Sequence, residues 1–160
     1  MSQPTSRPVS TWALDRETVI VRVYAAPRHA VFAAFTNPEA VCQWYGPDGF
    51  QCVVHEMNST VGGRWRFDLI APDGFVWANR VDYLQVVPGR LLEYHHGSDV
   101  DDDPAMFHVT ITFDEQADGK TVVTMRQLHP TPERRDEVIG FGAVELGLQT
   151  MGKLAAYLGC

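Results

Sequence analysis

From Glu17 onward, apolar and polar positions alternate in short runs broken by turn residues, the period-two pattern of half-buried strands. Glu17 to Tyr24 puts Val19, Val21 and Val23 on one face and stops at Pro27. Pro27 to Phe35 shifts to helical spacing through Val31, Ala34 and Phe35, and Asn37-Pro38 separates it from a second short helix through Val41 to Trp44. After the turn cluster Gly46-Pro47-Asp48-Gly49, alternation resumes over Phe50 to Met57. Beyond Gly62-Gly63, Trp65, Phe67 and Leu69 share one face while Arg64, Arg66 and Asp68 share the other, as in a sheet with one wet side. Further strands are expected over Phe75 to Val87, Arg90 to His96, Met106 to Asp114 and Thr121 to His129. The parity around Trp77 and Asn79 depends on a bulge in the first of these.

Thr131 to Leu158 is helical, with Thr131 as cap, Pro132 in the first turn and an apolar stripe of Phe141, Val144, Leu148, Met151, Ala155 and Leu158. Each glycine at 140, 142, 147 and 152 costs about 1 kcal/mol inside a helix, so the segment either breaks near Gly140 to Gly142 or gains from close approach. Gly140, Ala143 and Gly147 form a small-residue strip that suits a pocket, a strand or a second subunit, which leaves a homodimer open. One strand, two short helices, six strands and a long helix make an α+β pattern in which about seven antiparallel strands curve around the C-terminal helix.

Length and composition add limits. The chain of 160 residues suits one domain over residues 17–160, after a polar tail over 1–16 that carries Pro4 and Pro8 and no signal-peptide core. No apolar run reaches membrane-span length, and the expected compartment is the cytoplasm. The net charge of -7 and the cluster of Asp99 with Asp101 to Asp103 argue against a nucleic-acid partner. Cys42, Cys52 and Cys160 lack the spacing of a disulfide framework or a zinc knuckle. No cofactor is expected.

The ordered set Val31-Phe32, Phe35 to Glu39, Gln43-Trp44-Tyr45-Gly46-Pro47 and Gly62-Gly63-Arg64-Trp65-Arg66-Phe67 carries a resemblance, continued by Tyr94 to Gly97, Phe107 to Phe113, Gly142 to Glu145 and Leu154 to Leu158. It resembles the bacterial proteins related to the C-terminal domain of the activator of Hsp90 ATPase. These belong to the START-like (SRPBCC) helix-grip superfamily, which also holds polyketide cyclases and birch-pollen-allergen relatives. The resemblance implies a helix-grip fold and a small hydrophobic or amphipathic ligand between the sheet and the long helix. A chaperone partner is implied by the family's name alone, because one scaffold hosts unrelated functions.

Strand parity and the helical stripe give the expected pocket: Trp44, Trp65, Phe67, Trp77, Tyr94, Met125, Phe141, Leu148 and Met151 as apolar contacts, with His96 and Asn79 as polar anchors to a small apolar or aromatic molecule. Trp44 and Tyr45, just before the Gly46-Pro47 turn, are either a lid over the pocket mouth or the aromatic anchor of their short helix. His95 and His96 point to opposite faces and cannot share a metal; parity with Leu92 and Tyr94 turns His96 inward, as a core histidine or a ligand contact. His108 belongs on the wet face, His55 and His129 at the surface, and Arg66, Arg80 and Arg126 in cross-strand pairs. Glu145 is an exposed helical glutamate or lies at the pocket edge with a raised pKa. A cyclase or hydrolase of the superfamily's kind would have to use His96 or Glu145, since no Gly-x-Ser-x-Gly elbow, Cys–His arrangement or metal-ligand spacing occurs.

Overall fold

A computed structural model describes residues 15–160. Of the tail expected over 1–16, residues 1–14 lie outside the described residues, while the Arg16 carbonyl accepts a bond from His129 N at 2.8 Å. The elements run β1 (Glu17–Tyr24), α1 (Arg28–Thr36), α2 (Pro38–Trp44), β2 (Gln51–Met57), β3 (Arg64–Ile70), β4 (Val76–Val87), β5 (Leu91–Ser98), β6 (Phe107–Glu115), β7 (Thr121–Leu128), α3 (Pro132–Gly140) and α4 (Ala143–Leu158). The strands form one sheet in the order β1-β7-β6-β5-β4-β3-β2, every neighbour antiparallel. No helix among the described residues is long and apolar enough to cross a membrane.

The inner face follows from parity. On β5, β6 and β7 it carries Leu92 and Tyr94, Val109 and Ile111, and Val123 and Met125, all buried. The bulge anticipated in β4 falls between Tyr83 and Gln85, so Asn79, Val81 and Tyr83 face inward with Val81 opposite His96. On β1 the inner side belongs to Thr18, Ile20 and Tyr24, and the three valines face out.

The last two helices decide where space remains. Gly142 adopts the left-handed conformation (φ 87°) that glycine enters without strain, so the helical segment turns a corner between α3 and α4. Helix α4 then rests mainly on β1, α1 and α2. Tyr24 Oη donates to Met151 O at 2.9 Å, and a Cβ at Gly147 would stand 2.7 Å from Ile20 Cδ1, so the small-residue strip meets a strand at Gly147. Lys153 Nζ donates to Pro47 O at 3.1 Å, tying α4 to the turn after α2. Because α4 leans toward β1, the inner face at the far ends of β4, β5 and β6 is left without a packed helix above it.

Candidate functional site

That uncovered end is a cavity of about 360 Å³, within the range of small-molecule sites. Its floor is a row of rings from β5, β6 and the residue just after β7: His96 lies 4.8 Å from Phe107, and Phe107 lies 5.5 Å from His129. Tyr45, Pro47 and Leu69 form one wall, and Val138, Phe141, Ala143 and Leu146 from the α3–α4 corner form the roof. The cavity shares Leu69, Trp77, Asn79 and Phe141 with an outer hollow of about 650 Å³. Trp77 and Phe141, 55% and 59% exposed, stand at this mouth.

A few polar groups interrupt the apolar lining. His96 Nε2 lies 2.9 Å from Asn79 Oδ1, and Asn79 Nδ2 donates to Trp77 O at 2.9 Å, which orients the amide with its oxygen toward the imidazole. The ring proton is therefore assigned to Nε2. Burial lowers the His96 pKa to about 4, against a weaker opposing pull from Asp103, so the ring is neutral at pH 7. Asp103 itself accepts from Ser98 N at 2.8 Å and Ala105 N at 3.0 Å, and the first of these bonds does most to hold its carboxyl below the usual range.

His129 is 2% exposed, a correction to its expected surface position: parity carried two steps beyond Met125, through Gln127, brings it onto the floor. Its Nε2 lies 3.3 Å from Thr18 Oγ1, and its Nδ1 is buried without a partner. Burial first, then the charges of Arg134 and Arg135, lower its pKa. Arg134, in the first turn of α3, puts Nη1 2.5 Å from Glu137 Oε1 and holds its guanidinium 5.8 Å from the Phe141 ring centroid, while its Nε is also buried and unpaired. The third such atom among the described residues, Trp65 Nε1, lies in the aromatic core beside Tyr45.

With the site described, relatives can be placed against it. A family model for "Activator of Hsp90 ATPase homolog 1-like protein" matches residues 25–159. The chain belongs to this family. A crystal structure of a protein from Chromobacterium violaceum is 29% identical, with a TM-score of 0.72 over 88% of this chain and 95% of that one. A solution structure from Staphylococcus epidermidis is 28% identical, with a TM-score of 0.80 over 90% of each chain. The AHSA1 protein from Silicibacter pomeroyi, 22% identical over 89% of this chain and 97% of its own at a TM-score of 0.71, shows the shared fold alone. No curated protein matches.

In this family member, only part of the expected pocket set meets the cavity. His96, Asn79, Trp77 and Phe141 line it. Trp44 does not: it is fully buried, its Nε1 donates to Ala34 O at 3.0 Å, and it anchors α2 as core. Trp65 and Phe67 stack at 4.0 Å and are capped by the Tyr45 ring at 5.0 and 5.4 Å, so they lie behind the wall. Tyr94 and Met125 face inward but sit deeper along their strands, in the packed core. Met151 is buried against the same core, and Leu148 is 49% exposed. Two helical positions span about 200°, so with Leu146 turned to the cavity Leu148 is on the opposite flank. Glu145 is exposed and outside the cavity. On the outer face His108 Nε2 lies 2.6 Å from Glu93 Oε2, and Arg66, Arg80 and Arg126 pair with Asp99, Asp99 with Asp101, and Glu17. His55 stays at the surface, 2.8 Å from Asp68.

Leu146, Val138, Phe107, His129 and Arg134 are among the lining residues outside the expected pocket set. Parity with His108 on the wet face turns Phe107 inward, and the same rule carried past the end of β7 reaches His129. No signal marks Arg134, which resembles any charged residue in a first helical turn.

Proposed function

We propose that this member of the family binds one small amphipathic molecule, mostly apolar with a polar end, in the cavity between the sheet and the α3–α4 corner. The observation that carries this reading is the combination of an apolar hollow with a fixed polar pair, His96 and Asn79, in its lining and an aromatic mouth. Apolar area supplies affinity in such sites, and a few oriented polar groups set the pose. A histidine whose pKa is about 4 is a poor proton acceptor at neutral pH, and Glu145 stands outside. Binding therefore has more support than proton-transfer catalysis.

N-phenyl-1-naphthylamine, a neutral apolar fluorophore, tests the reading. It should bind saturably at one site per chain. Leu146→Trp, which fills the roof, should weaken it about tenfold with the circular dichroism unchanged. Absence of saturable binding, or indifference to Leu146→Trp in folded protein, would overturn the proposal.

A further inference from the structure

We infer that the cavity's ligand carries a carboxylate, held jointly by Arg134 and His129; this rests on the binding reading above and specifies its polar end. Buried polar atoms in native proteins are nearly always paired. Here two of the three unpaired ones among the described residues, Arg134 Nε and His129 Nδ1, belong to side chains that line the same cavity. A buried guanidinium N–H without an acceptor costs more than a neutral one, because the charge strengthens the bond it fails to make.

The neighbouring charges leave this pair available. Glu137 takes Arg134 Nη1 on the solvent side, with its carboxylate 64% exposed, and does not reach Nε. Asp103, the acidic residue of the lining, feels the charge of Arg134 but directs its hydrogen bonds to the backbone N–H groups of Ser98 and Ala105, not to the guanidinium. Arg135 adds a second positive charge near His129. Thr18 Oγ1 stands 3.4 Å from Gln127 Oε1 and 3.3 Å from His129 Nε2; with its single proton on the shorter contact, the imidazole keeps its own proton on Nδ1 as a donor. Both nitrogens are covered by their own surroundings, so ligand entry turns the two side chains toward the cavity, where one carboxylate oxygen accepts from Arg134 Nε–H and the other from His129 Nδ1–H. A neutral carbonyl meets these two donors without the negative charge that strengthens each bond. The Phe107 ring and Leu146 suit an aryl or alkyl body attached to the acid.

The test uses two shape-matched competitors, 1-naphthaleneacetic acid and 1-naphthaleneacetamide, displacing N-phenyl-1-naphthylamine from the wild-type protein. The acid should displace the fluorophore at about tenfold lower concentration than the amide. In Arg134→Gln the ratio of the two should fall to about one, whereas Arg126→Gln, the same charge change on the outer face, should keep the wild-type ratio. Equal competition in the wild type, or an acid preference that survives Arg134→Gln, overturns this inference and leaves the binding reading standing. Failure of the fluorophore itself to bind overturns both.

Discussion

His96 and Asn79 meet as diagonal neighbours across β5 and β4: Asn79 stands opposite Ser98 and His96 opposite Val81, yet the imidazole Nε2 and the amide Oδ1 close to 2.9 Å. Diagonal pairs reach each other only when both side chains lean the same way on one face. Burial keeps this oriented imidazole on the cavity floor neutral at pH 7.

Stability should therefore depend on pH through His96. Its folded pKa of about 4 lies below the ordinary 6.5, so between these values the unfolded chain binds the extra proton. The contribution is present above pH 6.5, is lost as pH falls toward 4, and has a slope of at most about 1.4 kcal/mol per pH unit. His129, also lowered, acts in the same direction. Urea unfolding of wild type and His96→Phe across this range should give a stability difference that shifts with pH. A flat difference, or a His96 NMR titration centred near 6.5, would contradict the assignment.

Trp44 and Phe141 separate core from cavity. Trp44→Phe removes the bond to Ala34 O and leaves a void, which should cost about 2 kcal/mol in urea unfolding while fluorophore affinity holds within about twofold. Phe141→Ala at the exposed mouth should change stability by less than about 0.5 kcal/mol but weaken binding about tenfold. The reverse pattern would restore Trp44 as a lid.

This pair also shows what alternation along the chain reveals. Period two states which face a strand residue takes, and it turned Phe67, Tyr94 and His96 inward correctly. It is silent on depth along the strand. Phe67 falls where the Tyr45 ring covers it, and His96 falls beyond α4's reach. Leu148 was placed by treating the C-terminal segment as one continuous helix; the corner at Gly142 shortens it, and α4 turns the flank of Leu146 and Ala143 to the cavity. The glycine cluster leaves a break near Gly140 to Gly142 as one of two readings and does not indicate the direction of the second helix, which depends on contacts with β1.

Gly147 fixes that direction through its approach to Ile20. Gly147→Val places a branched side chain where a Cβ alone is 2.7 Å from Ile20 Cδ1. Ile20 can retract one methyl group, but two further carbons should lift α4 and cost about 1–3 kcal/mol. Ile20→Ala should recover part of that loss in the double mutant, measured as a non-additive change in urea midpoint. Strict additivity would mean that the two residues do not press on each other.

The proposed ligand enters between the sheet end and the α3–α4 corner. The most direct measurement is a two-dimensional amide NMR titration of the protein with N-phenyl-1-naphthylamine. Saturable shifts should gather at Asn79, Gly97, Phe107, Ala143 and Gly147, with Val19 and Val21 on the outer face unmoved. Shifts confined to the outer face, or none that saturate, would contradict it.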